Sequence, residues 1–135
     1  EPLRVVRDDV TSAIETEVAC LQLGELCVAA VPGELFPELV YGSIDDPAGP
    51  GADCPEAPIE PTIADLLPGD KWLLFGLAND EIGYIMPRRQ WDERPPYMFE
   101  RSMPQYGEIN SCGPDTAPVI MRALQTRMAE LTRDP

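Results

Sequence analysis

Two short, continuously apolar runs constrain the fold of this chain more than any other feature. They are Leu26–Val31 and Trp72–Leu77. A run of this length, bounded by turn-forming residues, is typical of a strand that is buried on both faces, as in a parallel sheet. Residues 35–42 lie between the runs and carry apolar side chains at helical spacing, so a crossover through a short helix would let the two strands pair in parallel. The sequence therefore predicts a mixed α/β fold with parallel central strands.

Two further elements complete the predicted fold. Residues 18–31 surround a turn at Gly24 and are expected to form an N-terminal antiparallel hairpin. A long C-terminal helix is expected to begin near Asp115, whose side chain can cap it. The apolar stripe of this helix consists of Ala117, Ile120, Met121, Leu124, Met128 and Leu131. A chain of 135 residues is long enough for one domain with a sizeable core, and we expect a single domain.

Two segments interrupt this pattern. Residues 43–70 contain six prolines, seven acidic residues and no lysine or arginine, which is typical of a solvated loop or insertion rather than a packed element. Residues 87–104 form a second irregular segment, rich in arginine and aromatic residues, and we expect it to lie over a cleft as a lid. The seven acidic residues of the first segment therefore account for half of the net charge of −14.

The composition excludes several classes of function. A net charge of −14 argues against nucleic acid or an anionic membrane as the partner. The chain contains no histidine, so no Ser-His-Asp or Cys-His pair can form within it, and Ser111 and Cys112 are poor candidates for a nucleophile. Paired carboxylates of the glycosidase kind remain formally open, although no spacing among the acidic residues singles out a pair.

The four cysteines, Cys20, Cys27, Cys54 and Cys112, form an even set that fits an oxidising compartment. We therefore expect an extracellular or cell-envelope location. A tight hairpin would bring Cys20 and Cys27 onto facing strands, so both a disulfide and buried thiols remain open for this pair. The chain starts at Glu1 without an initiator methionine or an apolar signal segment, which predicts a processed, truncated or cleaved start.

Glu34 and Tyr84 are the candidate site residues that the fold prediction itself selects. Each follows one of the two apolar runs. Functional groups in open α/β sheets gather beyond the carboxyl ends of parallel strands, so these two side chains should meet at one rim. Each residue taken alone also has a purely structural interpretation. Glu34 would be an acid in the first turn of a helix, and Tyr84 would be a half-buried aromatic residue with a hydrogen-bonded hydroxyl.

Four sequence blocks occur in an order that resembles a known enzyme family. They are Val31–Glu34, then Gly76–Asn79 followed by Gly83–Ile85, then Tyr106–Ser111, then Gly113–Thr116. Together they resemble the C-terminal part of the catalytic domain of the neutral/alkaline (non-lysosomal) ceramidase family. The resemblance extends over most of residues 20–131, although the segments 43–70 and 87–104 lengthen the spacing between the blocks.

The resemblance implies a zinc site that this chain can only half complete. In the family, zinc is held by two histidines, the glutamate of the Pro-Gly-Glu block and the tyrosine after the Gly-Leu-x-Asn block, so Glu34 and Tyr84 are the implied ligands here. A further family tyrosine stabilises the oxyanion of the tetrahedral intermediate. Tyr106 matches it, and Tyr97 is the less favoured alternative. The two histidines belong to an N-terminal part of the family domain, which explains their absence from this chain.

The resulting hypothesis is that this chain is the C-terminal portion of a zinc-dependent amide hydrolase. Its substrate would be a lipid-like or N-acyl amide, as in sphingolipid metabolism, and its partner would be an N-terminal segment or second chain of the same precursor. Arg88 and Arg89 would bind a polar head group, or would simply belong to a solvated loop. The isolated chain should be inactive. The alternative is a non-catalytic binding or structural component that retains the fold.

Overall fold

The computed structural model describes residues 3–6 and 13–133, and its fold is mixed α/β as predicted. The strands are β1 (Leu3–Val6), β2 (Ala13–Thr16), β3 (Ala19–Leu23), β4 (Leu26–Ala30), β5 (Glu34–Leu35), β6 (Trp72–Phe75) and β7 (Tyr84–Ile85). The helices are α1 (Pro37–Tyr41), α2 (Ile63–Leu66), α3 (Tyr106–Ile109) and α4 (Thr116–Leu131), with 3₁₀ turns at Arg88–Gln90 and Met98–Glu100. Glu1, for which the sequence predicts a processed start, lies outside the described residues.

The described strands form three small sheets, of which β3–β4–β6 is the largest. β3 and β4 form the predicted antiparallel hairpin, and β4 pairs in parallel with β6, with Cys27 opposite Trp72 and Ala30 opposite Phe75. The parallel pairing of the two apolar runs is thus confirmed. Among the described strands, β6 lies at the edge of the sheet, whereas its continuous apolarity predicted a neighbour on each side.

The central sheet continues directly into the pair β5–β7. The backbone N–H of Val31 donates to the carbonyl of Phe75 at 2.9 Å, and the N–H of Leu77 donates to the carbonyl of Gly33 at 3.2 Å. β5 begins one residue after Gly33 and β7 begins seven residues after Leu77, and these two strands pair in parallel. This continuation carries the ends of both apolar runs to one rim, as expected for parallel strands.

One face of the central sheet packs against α4. The helix buries Ala117, Ile120, Met121, Leu124 and Met128, which are five members of the predicted stripe, and Leu131 packs at the border of the same core. Asp115 does occupy the capping position, but its side chain makes no capping hydrogen bond and instead forms an ion pair with Arg88. None of the described helices is long and apolar enough to cross a membrane.

The acidic segment 43–70 is more closely packed than its composition indicates. It contains the short helix α2, which begins with a reciprocal capping box between Thr62 and Asp65. Ile63 and Leu67 from this part of the segment are buried in the main core. A segment predicted to be a solvated excursion therefore contributes to the hydrophobic core, because a few apolar residues and one cap are enough to seat it.

The segment 87–104 packs on the acidic segment. The N–H of Asp53 donates to the carbonyl of Trp91 at 2.8 Å, and the carboxylate of Asp53 accepts hydrogen bonds from the N–H groups of Glu93 and Arg94. Trp91 is 3% exposed. The predicted lid is thus fixed by a buried indole and by backbone hydrogen bonds to residue 53.

The hairpin register bears on the cysteines. Cys20 lies opposite Ala29, and Cys27 lies opposite Gln22, so the two thiols are diagonal neighbours rather than a facing pair. Cys20, Cys27 and Cys54 are thiols that are not joined in a disulfide. Burial of Cys20 raises the pKa of its thiol, as expected for a sulfur in an apolar environment.

Candidate half-site for a metal ion

Glu34 and Tyr84 are side by side at the rim. Glu34 lies opposite Tyr84 in the parallel register of β5 and β7. The N–H of Glu34 donates to the carbonyl of Gly83 at 3.0 Å, which fixes the two strands at the position where the side chains emerge. Glu34 is exposed and Tyr84 is half-buried. The interpretation of Glu34 as an acid in a helix first turn is wrong, because it lies in a strand and the helix begins at Pro37.

The glycine before each of these residues is required by close backbone packing. A Cβ atom on Gly33 would lie 2.4 Å from the carbonyl oxygen of Gly83. A Cβ atom on Gly83, whose φ is +83°, would lie 2.0 Å from the carbonyl oxygen of Asn110. Neither distance is compatible with a side chain. The Gly-Glu and Gly-Tyr dipeptides therefore bring three chain segments together at the rim.

Tyr106 joins the pair from the third segment. It begins α3, and its ring centroid lies 5.7 Å from that of Tyr84 in an edge-to-face arrangement with an interplanar angle of 75°. The N–H of Tyr84 donates to the carbonyl of Asn110, directly after the same helix, at 2.9 Å. Tyr106 is 71% exposed, so one part of its ring contacts Tyr84 while the rest is accessible to solvent. All three side chains implied by the resemblance are thus in one place.

A cavity of about 330 Å³ opens beside these side chains. Its lining consists of Glu34, Glu81, Ile82, Gly83, Tyr84, Tyr106, Ile109, Asn110, Ser111 and Cys112. Glu81 is a second acid of this cavity that sequence reasoning did not single out, although it lies only three residues before Tyr84. A larger open groove of about 960 Å³ lies elsewhere, between residues 15–18 and the outer side of α4, and it contains none of the residues implied by the resemblance.

The electrostatics of the cavity couple its acid to its phenol. The carboxylate of Glu34 raises the pKa of the Tyr84 hydroxyl, with smaller contributions from burial and from Tyr106, because a neighbouring negative charge disfavours the phenolate. A cation between the two oxygens would reverse that effect and favour the phenolate. The pair is therefore suited to bind a cation and resists the loss of the tyrosine proton without one.

The described residues supply only part of a metal coordination shell. Within residues 3–6 and 13–133, no group of three or more cysteine, aspartate or glutamate side chains is arranged to hold a metal ion. Glu34 and Tyr84 offer two oxygen donors, whereas zinc in proteins almost always has four ligands. The chemistry of this donor pair fits half of a zinc site, and the described residues do not supply the other half.

Arg88 and Arg89 are engaged in ion pairs and do not line this cavity. Arg88 pairs with Asp115 at 2.7 Å, and Arg89 pairs with Asp46 at 2.5 Å. The backbone N–H of Arg88 also donates to the carboxylate of Glu60 at 3.0 Å. These contacts fasten the acidic segment to the body of the protein. A role for Arg88 and Arg89 in substrate binding stays a prediction.

Tyr97 and Glu108 complete the account of the candidate residues. Tyr97 does not line the cavity, so its position favours Tyr106 as the matching tyrosine. Glu108 follows Tyr106 on α3, is fully buried, and has one carboxylate oxygen without a hydrogen-bond partner among the described residues. Burial raises the pKa of this carboxyl, with Arg101 opposing the shift. Sequence reasoning missed Glu108 because nothing in its local pattern distinguishes a buried acid from an exposed one.

Comparison with known proteins adds no relative to this picture. The chain matches no family model, and no curated protein and no solved structure is significantly similar to it. The geometry at the rim and the resemblance of the four sequence blocks are therefore the two observations that bear on the function of this chain.

Proposed function

We propose that this chain supplies half of the active site of a zinc-dependent amide hydrolase of ceramidase-like type. The observation that carries the proposal is the parallel register that sets Glu34 beside Tyr84, with the ring of Tyr106 5.7 Å from that of Tyr84. The resemblance selected these three residues from separate blocks of the sequence. Their proximity in space is what an active site built from them requires.

Each residue has a distinct task in the proposed site. Glu34 and Tyr84 would hold the zinc ion through a carboxylate and a phenol oxygen, and histidines of an N-terminal segment or second chain of the same precursor would complete the shell. Zinc in such a site supplies a nucleophilic water at neutral pH and polarises the amide carbonyl. Tyr106 donates its hydroxyl to the developing negative charge on the carbonyl oxygen. A positioned donor of this kind contributes about 2.7–4 kcal/mol to transition-state stabilisation.

The substrate is proposed to be a lipid-like or N-acyl amide in an extracellular or cell-envelope location. Ile109 is 61% exposed and lines the same cavity as Tyr106, so an apolar part of the substrate would have a contact next to the reacting carbonyl. The isolated chain is expected to be inactive, because the two donors of the rim hold a metal too weakly on their own.

A matched pair of variants tests the metal assignment. The assembly of this chain with its histidine-bearing partner should contain about one zinc ion. Glu34→Gln should lower the zinc content at least tenfold, whereas Glu81→Gln, which alters an exposed acid of the same cavity, should leave it unchanged. Both contents are measured by inductively coupled plasma mass spectrometry. An assembly without zinc, or an equal loss in both variants, would contradict the proposal.

A non-catalytic binding component is the second candidate function. The observation that favours it is the exposure of Leu21, Leu23 and Leu73 on the central sheet, because exposed apolar surface is typical of an interaction site. A partner polypeptide without histidines at the rim would support this alternative, since no zinc shell could then be completed.

A further inference from the structure

The face of the central sheet opposite α4 is apolar and uncovered by the described residues. Its side chains occupy matching positions of the three strands, with Leu21 opposite Val28 and Val28 opposite Leu73. The complete set, called here the apolar sheet face, is Ala19, Leu21, Leu23, Leu26, Val28, Ala30, Leu73 and Phe75. Leu21, Leu23, Leu73 and Phe75 are between 47% and 58% exposed. The set contains no charged or polar side chain.

Such a face is unusual for a protein surface. Sheets with parallel strands are normally covered on both faces, and exposed apolar patches of this kind mark interaction sites. Edge strands are usually protected by charged residues or proline, but β6 is the edge strand here and reads Trp-Leu-Leu-Phe. None of the four residues of β6 is charged or a proline, which indicates that the face and its edge are covered in the functional protein.

The apolar sheet face and the metal half-site lie on the same side of the sheet. Ile85 belongs to the same hydrophobic core as Ile120 and Leu124 of α4, and Leu35 packs against that core. Side chains alternate along a strand, so their register neighbours Glu34 and Tyr84 point to the opposite side, which is the side of the apolar sheet face. The hydrogen bond from Leu77 N–H to the Gly33 carbonyl joins the two regions without a gap. A layer that covers the face would therefore reach the half-site.

We infer that the apolar sheet face is the docking surface of the histidine-bearing polypeptide that completes the zinc site, an inference that rests on the proposed function. Charge argues for a partner other than a second copy of this chain. A second copy would bring a chain of net charge −14 and another pair of exposed acids, Glu34 and Glu81, towards the same rim. It would also bring no histidine.

The cover that would suit this face has two properties. It presents an apolar layer to Leu21, Val28 and Leu73, and it carries imidazoles at the rim beside Glu34.

Site-specific photo-crosslinking in the native host tests where the partner docks. The photoreactive residue p-benzoylphenylalanine is placed at Leu73 and, in a control, at Ile59, which is similarly exposed at 46% but belongs to the acidic segment. Position 73 should form an adduct with a peptide from a histidine-bearing polypeptide, identified by mass spectrometry, and position 59 should not. Absence of an adduct at position 73, or an adduct only with a second copy of this chain, would overturn the inference.

Charge substitutions separate the docking surface from the zinc chemistry. Leu73→Asp and Leu21→Asp should each lower recovery of the partner at least tenfold, while Ile59→Asp should not. Circular dichroism should show that all three variants remain folded, since each alters an exposed side chain. Unchanged recovery with Leu73→Asp and Leu21→Asp would overturn the docking surface even if the assembly contains zinc. Recovery that depends on Leu73 in an assembly without zinc would retain the docking surface and refute the proposed function.

Discussion

In this protein the charged segments are well packed, whereas the rim is incompletely covered. The amino-acid compositions of the two regions indicate the reverse. The segments 43–70 and 87–104 are rich in proline and charged residues, yet ion pairs, a capping box and buried residues such as Trp91 and Ile63 hold them in a fixed structure. The rim and the apolar sheet face consist mainly of regular strands. The sheet face nevertheless exposes leucines, and the described residues at the rim offer too few donor atoms for a complete metal coordination shell. Uncovered apolar surface, rather than charge or proline content, is therefore the feature that marks the proposed binding surface for a partner.

Gly83→Ala has the largest expected effect of the variants considered for this comparison. It tests whether the backbone segments at the rim are as closely packed as the comparison requires. The new methyl group would lie 2.0 Å from the carbonyl oxygen of Asn110, at a φ of +83°. We expect a loss of more than about 4 kcal/mol in the free energy of unfolding, measured by urea denaturation.

Gly24→Ala is the matched control for Gly83→Ala. Gly24 has a φ of +61°, but a Cβ atom there would have no neighbour within 4 Å. It should therefore show only the cost of the left-handed conformation, roughly 1–2 kcal/mol. Equal losses in the two variants would mean that the backbone at the rim can move away from the added methyl group, and that the rim is not rigid.

Asp92→Asn tests how firmly internal contacts hold the charged segment 87–104 in place. Asp92 is fully buried, pairs with Arg101, and accepts a hydrogen bond from the N–H of Met98 at 2.9 Å. Removal of its charge leaves Arg101 without its partner, and we expect a loss of about 3 kcal/mol in the free energy of unfolding. Glu25→Gln breaks the exposed pair with Lys71 and should cost less than about 1 kcal/mol. Similar small losses for both would indicate that the segment 87–104 is loosely attached.

The chemical role of the rim is tested by Tyr106→Phe in the assembly with the histidine-bearing partner. The ring remains beside Tyr84, so zinc content should not change, while the lost hydroxyl should lower kcat for an N-acyl amide by about 100-fold. The experiment combines steady-state kinetics with metal analysis of the same preparation. A fall in zinc content together with kcat would assign Tyr106 to the metal site instead of to the oxyanion.

The sequence was sufficient to predict the parts of the molecule that depend on local patterns. The runs Leu26–Val31 and Trp72–Leu77 predicted the parallel pair, and the residues that follow them predicted that Glu34 and Tyr84 share a rim. Periodicity was enough here because strand alternation and helix spacing are properties of neighbouring residues.

The features that the sequence did not reveal depend on distant contacts. The ion pair of Arg89 with Asp46 joins residues 43 positions apart, so nothing near Arg89 indicates it. The packing of the acidic segment had one usable signal, the Thr62-x-x-Asp65 capping box, but a helix of four residues is too short for periodicity to show. Continuous apolarity predicted burial on both faces, and only the structure showed that the described chain covers one of them.

The smallest expected effect concerns the coupling between Glu34 and Tyr84 in the isolated chain. The Glu34 carboxylate raises the pKa of Tyr84 above its ordinary value of 10.0, so the tyrosine keeps its proton longer in the folded state than in the unfolded state. The contribution to stability is complete below about pH 10 and is lost as the pH rises through the folded-state pKa.

Glu34→Gln should return the pKa of Tyr84 towards 10.0. Ultraviolet titration of the phenolate measures this pKa, and Tyr84→Phe shows which transition belongs to Tyr84. Glu81→Gln should leave more of the pKa shift of Tyr84 in place than Glu34→Gln does, because Glu81 is not among the causes of the shift. Identical titration curves for the wild-type chain and Glu34→Gln would show that the carboxylate of Glu34 and the hydroxyl of Tyr84 are too far apart to share a cation. The rim would then have no pair of metal-binding side chains to distinguish it from the well-packed charged segments.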